Sequence, residues 1–252
     1  MKLIRLGQTL CDGKAAPPPP PTANALLFLK KNTNMYGGFH TEGCAVVDPP
    51  RSSNASTMYY GQPITKWEDY NGSSVYAEQT TCLDCPQYNY GSAETAVGET
   101  RFFDLNSSVV LTGEFTIYIK AILGATNNNS FVGGNSTNFW RISNNKEFRV
   151  RIGGTANNLF TEATDTIGIN NKGYIFCLQR DASGYLSLFV NGREYNDKPW
   201  GSTTNQDIDT MTIGNIGAQA DDTQTFAGNL NDVLIYDTEH DASQRAIIYN
   251  YL

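Results

Sequence analysis

Charge is scarce in this sequence. Asp, Glu, Lys and Arg make up 17% of 252 residues, and bases are the scarcer sign, 18 against 25, for a formal net charge of −7. A phosphate backbone is gripped by a basic face, and none is visible, so nucleic acid is not an expected partner. Anionic membrane surfaces are disfavoured for the same reason. No apolar run approaches the ~20 residues that cross a bilayer, so no membrane insertion is expected. Histidine is limited to His40 and His240. The five cysteines (Cys11, Cys44, Cys82, Cys85 and Cys177) are an odd number. Cys82-Leu-Asp-Cys85 is a lone C-x-x-C; zinc would want a second such pair or paired histidines, and a redox motif would want a βαβ setting. Cys177 sits in an apolar run and reads as a small core residue. Near the amino end, Arg5 and Gln8 interrupt the apolar stretch that a signal peptide needs. The expectation is a protein made in the cytoplasm and not exported by the general route.

Asn, Thr, Ser and Gly are abundant and aromatics reach 12%, a mix that suits many short strands joined by polar turns. Gly173–Tyr195 shows the pattern best. Two aromatic and aliphatic runs, Tyr174–Gln179 and Tyr185–Val190, are separated by Asp181-Ala-Ser-Gly184, and Asn191-Gly192 follows. Asn-Gly suits a hairpin turn in which both central residues need positive φ, so the stretch predicts a three-stranded meander. Phe115–Leu123 and Glu147–Ile152 alternate with period two. Further strands are predicted at Ala25–Lys30, Ser108–Leu111, Phe131–Val132, Phe139–Ile142, Met211–Gly214 and Gly228–Tyr236. Asn127–Asn129 reads as a turn tip, Asn157–Asn158 and Asn170–Asn171 as brackets around short strands, and Asn32–Ser56 as polar and irregular. Asp241 with Gln244 three residues on is a capping-box-like helix start, and Ile247, Ile248 and Tyr251 would face the sheet.

Several of these stretches resemble the laminin-G-like, or concanavalin A-like, jelly-roll domains. Arg180–Gly192 is similar to their central hairpin, in which a "dgsG" turn leads to a strand ending "lyvNG". Ile64–Gly72 resembles their "v-x-x-W-x-D-x-s-G" segment, with Trp67, Asp69 and Gly72 at matching positions; the resemblance implies a packing Trp and a turn. Phe102, Asp104, Phe115 and Thr116 align in kind, and Phe226–Tyr236 resembles the final strand before a closing helix. The likeness runs over residues 60–252. It implies an all-β, antiparallel jelly-roll β-sandwich with a short C-terminal helix.

Residues 1–24 stand apart as an extended, proline-rich arm, with the sandwich domain over residues 25–252. Pro17–Pro21 is an unbroken proline run, a semi-rigid spacer of about 15 Å, and Leu3, Ile4 and Leu6 ahead of it are candidate docking residues for neighbouring subunits. The expected function is a non-enzymatic structural protein of a bacteriophage particle, a capsid decoration protein or a tail or fibre component. It would be made in the host cytoplasm, be present in many copies, and contact other virion proteins. The alternative is an extracellular glycan-binding adhesion module. Trp140, Trp200, Asp221 and Asp222 are the candidate carbohydrate-binding residues, because sugar faces stack on rings and carboxylates bond hydroxyls. Asp221 and Asp222 are also candidate calcium ligands, their hard oxygens suiting that cation, with Asp207 and Asp209 nearby in sequence. Glycosidases also use this sandwich, but they need two close carboxylates. No strand carries acids at alternate positions, Glu68 and Asp69 would point to opposite faces, and no catalysis is expected.

Overall fold

The computed structural model describes residues 24–31, 33–37, 40–41, 45–46, 63–80, 84–89, 92–95, 99–125, 129–143, 147–161, 173–195, 206–220 and 224–252. In chain order its first strands are β1 (Leu27–Leu29), β2 (Met35–Gly37), β3 (His40–Thr41), β4 (Ala45–Val46), β5 (Ile64–Glu68), β6 (Tyr76–Glu78), β7 (Gln87–Asn89), β8 (Ser92–Thr95), β9 (Phe103–Leu111) and β10 (Phe115–Leu123). Then come β11 (Asn129–Asn135), β12 (Asn138–Ile142), β13 (Glu147–Ile152), β14 (Thr155–Thr161), β15 (Tyr174–Arg180), β16 (Leu186–Val190), β17 (Arg193–Glu194), β18 (Met211–Ile216) and β19 (Gly228–Tyr236). Helix α1 (Ala242–Tyr251) closes the described chain.

These strands form a β-sandwich of two antiparallel sheets. Sheet A has the order β17-β16-β15-β10-β19-β8-β7, with β1 also paired to β19; sheet B has the order β14-β13-β12-β11-β18-β9-β6-β5-β2. Strands β3 and β4 pair with each other and with no other described strand. Alternation decides which side chains meet between the sheets. From β10, Phe115, Ile117, Ile119, Ala121 and Leu123 point inward; they join Phe176 and Leu178 of β15, Trp67 of β5, Phe131 and Trp140 of β11 and β12, and Phe148 and Val150 of β13. Each of the large aliphatic and aromatic side chains among these contributes about 1.5–3 kcal/mol through burial. The predicted meander is β15-β16-β17, turned by Asn191 and Gly192 at φ 50° and 81°.

The Ile64–Gly72 segment has the structural role that its resemblance implied. Trp67 is buried against Phe103 and donates through Nε1 to the Lys30 carbonyl at 3.2 Å. The buried Asp69 carboxylate accepts the Phe28 amide at 2.6 Å and the Ser73 amide at 2.8 Å. One side chain thereby closes the turn and fastens β1.

Sheet A is apolar on both faces. Phe28, Tyr118, Cys177, Phe189, Leu234 and Tyr236 project away from the main core and are covered by Ile248 of α1. Cys177 is thus buried beneath the helix and not between the sheets. The predicted capping box is present, Asp241 accepting the Gln244 amide and Gln244 Oε1 accepting the Asp241 amide, both at 2.8 Å. Ile248 and Tyr251 face the sheet as expected, but Ile247 is 52% exposed. The helix is short, so a single stripe through Ile248 supplies the contact and its sequence neighbour turns to solvent.

Other expectations also change. Asn157 and Asn158 lie within β14, and Asn170–Asn171 fall outside the described residues. Asn129 begins β11 as a fully buried residue, donating to the Ala125 and Ala227 carbonyls and accepting the Ala227 amide. Its amide group replaces backbone pairing at the strand's entrance, a use that composition does not announce. The stretch Asn32–Ser56, read as irregular, contains β2, β3 and β4, each too short to show alternation.

Candidate functional site

Trp140, proposed as a sugar platform, is fully buried in the core with its ring 4.9 Å from Phe131. That is a correction: a ring with no accessible face cannot stack a sugar. Trp200, Asp221 and Asp222 lie outside the described residues, as do the arm residues Leu3, Ile4, Leu6, Pro17 and Pro21. Asp207 and Asp209 are occupied elsewhere. Their carbonyls accept from Nη1 of Arg180 at 3.2 and 2.6 Å, and Asp207 Oδ1 accepts the Asp209 amide at 3.0 Å. Among the described residues, no three His, Cys, Asp or Glu side chains gather so as to hold a metal ion.

The two outer faces of the sandwich differ. Under α1, on sheet A, lies a closed polar cluster. The Tyr118 hydroxyl meets Nδ1 of His240 at 2.9 Å, and the Tyr236 ring centroid is 4.3 Å from that imidazole. Arg245 donates to Gln179 Oε1 and to the His240 carbonyl, and its guanidinium lies 4.2 Å from the Phe189 ring centroid. Burial, aided by the Arg245 charge, pushes the His240 imidazole below its ordinary value, and burial holds the Tyr118 and Tyr236 phenols well above theirs. A cleft of about 290 Å³ opens beside it, between α1 and the Asn191–Gly192 turn, with Arg245 and Tyr249 in its wall.

Among the described residues, no helix lies over the outer face of sheet B. Tyr36, Lys66, Glu78, Asp104 and Asn215 stand opposite one another from strand to strand across β2, β5, β6, β9 and β18. Lys66 pairs with Glu68 at 2.7 Å and sits 3.9 Å from the Tyr76 ring centroid, and Tyr36 donates to Glu68 Oε2 at 2.8 Å. Asn215 Nδ2 donates to Asp104 Oδ1 at 2.5 Å. The result is a strip of aromatic rings and hydrogen-bonding groups, held by one another and half exposed.

Farther along the same face lies a feature that strand-by-strand reading missed. In the antiparallel pairing of β12 with β13, Arg141 stands directly opposite Arg149, and Ser130 of β11 stands opposite Arg141. Arg141 is 9% exposed and Arg149 is half-buried. Nε and Nη1 of Arg141, Nε of Arg149, and the hydroxyls of Ser130 and Ser143 are buried without a hydrogen-bond partner. The Arg141 guanidinium lies 5.0 Å from the Phe139 ring centroid. Burial, and secondarily the charge of Arg149, pushes the Arg141 guanidinium below its ordinary value. Gly133 on β11 lets the Ala218–Gln219 backbone cross this face, since a Cβ there would collide with both carbonyls. The available signal was the alternation of Phe148, Val150 and Ile152 with Arg149 and Arg151, which already put the arginines outward; the register that sets Arg149 against Arg141 was not legible.

No protein-family model matches this chain, and no curated protein sequence matches it. Solved structures of similar fold exist. Trypanosoma rangeli sialidase, in complex with 2,3-difluorosialic acid, is 15% identical with a TM-score of 0.50, over 91% of this chain and 33% of that one. The receptor-binding domain of botulinum neurotoxin D is 15% identical with a TM-score of 0.49, over 92% of this chain and 53% of that one. The CBM40 of Ruminococcus gnavus IT-sialidase, bound to α2,6 sialyllactose, is 14% identical with a TM-score of 0.37, over 54% of this chain and 84% of that one. This chain therefore spans a third to about half the length of the first two structures, and the likeness is one of fold.

Proposed function

We propose that this chain is a non-enzymatic glycan-binding module that offers the outer face of sheet B to its ligand. The observation that carries the reading is the asymmetry of the two faces: α1 seals sheet A, while sheet B keeps a half-exposed strip of Tyr36, Lys66, Glu68, Tyr76 and Glu78. Sugars are bound by such surfaces, in which rings take the apolar face of the pyranose and prearranged polar groups take its hydroxyls. The strip is pre-organised, because Tyr36, Lys66 and Glu68 already hold one another, and a ligand meeting it has little side-chain freedom to freeze out. The sialidase and the CBM40 named above are complexes with a sialic acid derivative and a sialylated sugar; the support for glycan binding by this chain is its own exposed face.

The test is a titration of isotope-labelled protein with a panel of oligosaccharides, followed by amide chemical shifts. Movement centred on β2, β5, β6 and β9 is the expected result. Shifts clustered on α1, or none with any sugar, would sink the reading. A place on a virus particle is a separate proposal whose basis is the arm, outside the described residues; counting copies of the protein per purified particle tests it.

A further inference from the structure

We infer that Arg141 and Arg149 form a subsite for an oxyanion, a carboxylate or sulfate group carried by the glycan that sheet B accepts. The inference rests on the glycan-binding reading and specifies it.

The pair is costly as it stands. Like charges directly opposite on neighbouring strands destabilise a sheet, and this pair occurs on a protein of net charge −7, where a carboxylate partner would be easy to supply. Among the described residues neither arginine has one. Buried polar groups are almost always hydrogen-bonded, and the exceptions call for an explanation such as an absent ion. Here four unpartnered polar atoms, on Ser130, Arg141 and Arg149, occupy one face of β11, β12 and β13, with the Ser143 hydroxyl just past β12 also unpartnered.

The same molecule shows how it treats arginines used for architecture. Arg180, buried in the sandwich, donates to the carbonyls of Gly113, Asp207, Asp209 and Leu111. Arg245 spends its Nη1 on Gln179 and His240. Arg151, next along β13, is tied to the Gly154 and Ser136 carbonyls. By contrast, Nε and Nη1 of Arg141 and Nε of Arg149 have no such partner among the described residues.

Their chemistry fits an oxyanion. Guanidinium groups present planar arrays of N–H donors that match the oxygens of carboxylate or sulfate, and charge-assisted bonds of this kind are the strong ones. Phe139 backs the Arg141 guanidinium, limiting its motion. The Ser130 hydroxyl, in register beside it, supplies a further donor. Arg149 is half-buried while Arg141 is nearly covered, so the Arg149 side of the pair is the one from which an anion can arrive. An anion between the two guanidiniums would cancel their repulsion and satisfy donors that the fold leaves idle.

The experiment compares wild type with Arg149→Gln and Arg149→Lys. Each is titrated calorimetrically with matched neutral, carboxylated and sulfated oligosaccharides, sialyllactose against lactose among them, and melted with and without acetate or sulfate at fixed ionic strength. The expected result is that wild type prefers a charged sugar over its neutral counterpart by about tenfold or more, and that both variants lose this margin. Whether the carboxylated or the sulfated sugar wins identifies the group. Without ligand, Arg149→Gln should melt about 1–3 °C higher, through relief of repulsion; Arg149→Lys keeps the charge and should not. If neutral and charged sugars bind alike, and equally to the variants, the oxyanion subsite is wrong and glycan binding stands. If acetate or sulfate stabilises wild type but not Arg149→Gln, while no sugar binds, the subsite stands and the glycan reading falls. If no anion acts on wild type and Arg149→Gln melts lower, the pair is structural and the inference is overturned.

Discussion

The Tyr118 hydroxyl lies 2.9 Å from Nδ1 of His240, in a space that α1 and sheet A enclose. Burial keeps the phenol protonated, so it can donate to an unprotonated Nδ1 of a neutral His240 or accept from Nδ1–H. Desolvation and the Arg245 charge both favour that neutral form.

A pH dependence follows from the sign of this shift. The imidazole is depressed in the folded state and ordinary, at about 6.5, in the unfolded chain. Between the two values the unfolded state binds more protons, so stability rises with pH there. Stability should be full above about pH 7, decline as pH falls through the ordinary histidine range, and level off below the folded value. Denaturation midpoints from pH 7.5 to 5 should show this slope. His240→Gln, which cannot titrate, should flatten it.

Asp69 is the second test. Its buried carboxylate serves two amides from separate parts of the chain, those of Phe28 and Ser73. Asp69→Ala leaves both unpartnered and should cost about 3 kcal/mol, read from urea denaturation. Asp69→Asn keeps one acceptor oxygen and should cost about half as much. Equal stability of Asp69→Ala and wild type would remove the turn from the structural account.

Arg180 should be replaceable by nothing smaller or rounder. It joins four carbonyls from the β9–β10 turn and the 206–210 loop. A lysine ammonium cannot reach four acceptors in a plane, so Arg180→Lys should lose about 2–4 kcal/mol. Hydrogen exchange should quicken first at residues 206–210; unchanged protection there would contradict the clasp.

Cys177 should be inert in the folded protein. Burial pushes its thiol up to about 12, and the thiolate is the reactive form. Iodoacetamide at pH 8 should leave the Cys177 peptide unlabelled until denaturant is added. Labelling of the native protein would show that α1 lifts off sheet A.

Gly173–Tyr195 shows how far the fold was readable in advance. Asn191-Gly192 adopts the two positive φ values its residues invite, and the strands on either side follow, because turn chemistry and alternation are local. The same holds for Asp241 and Gln244, whose mutual bonds span three residues. Trp140 shows the limit. Alternation places a side chain on one face or the other, and which face becomes interior is decided by the second sheet. Strands β3 and β4, two residues each, carry no periodic signal at all, and the burial of Asn129 depends on a carbonyl of Ala227 about a hundred positions away.

The all-β class, the meander, the turn at Asp69 and the capped closing helix follow from the sequence alone, since each rests on residues close enough in the chain to act on one another directly. The packing of α1 on sheet A and the pairing of Arg141 with Arg149 arise only from contacts distant in sequence. Helix docking depends on an apolar outer face assembled from β1, β10, β15, β16 and β19, and the arginine pairing depends on hairpin register. Pairing partners in a sheet are set by the sum of contacts along whole strands, so two like charges can be brought together that no local preference would have joined.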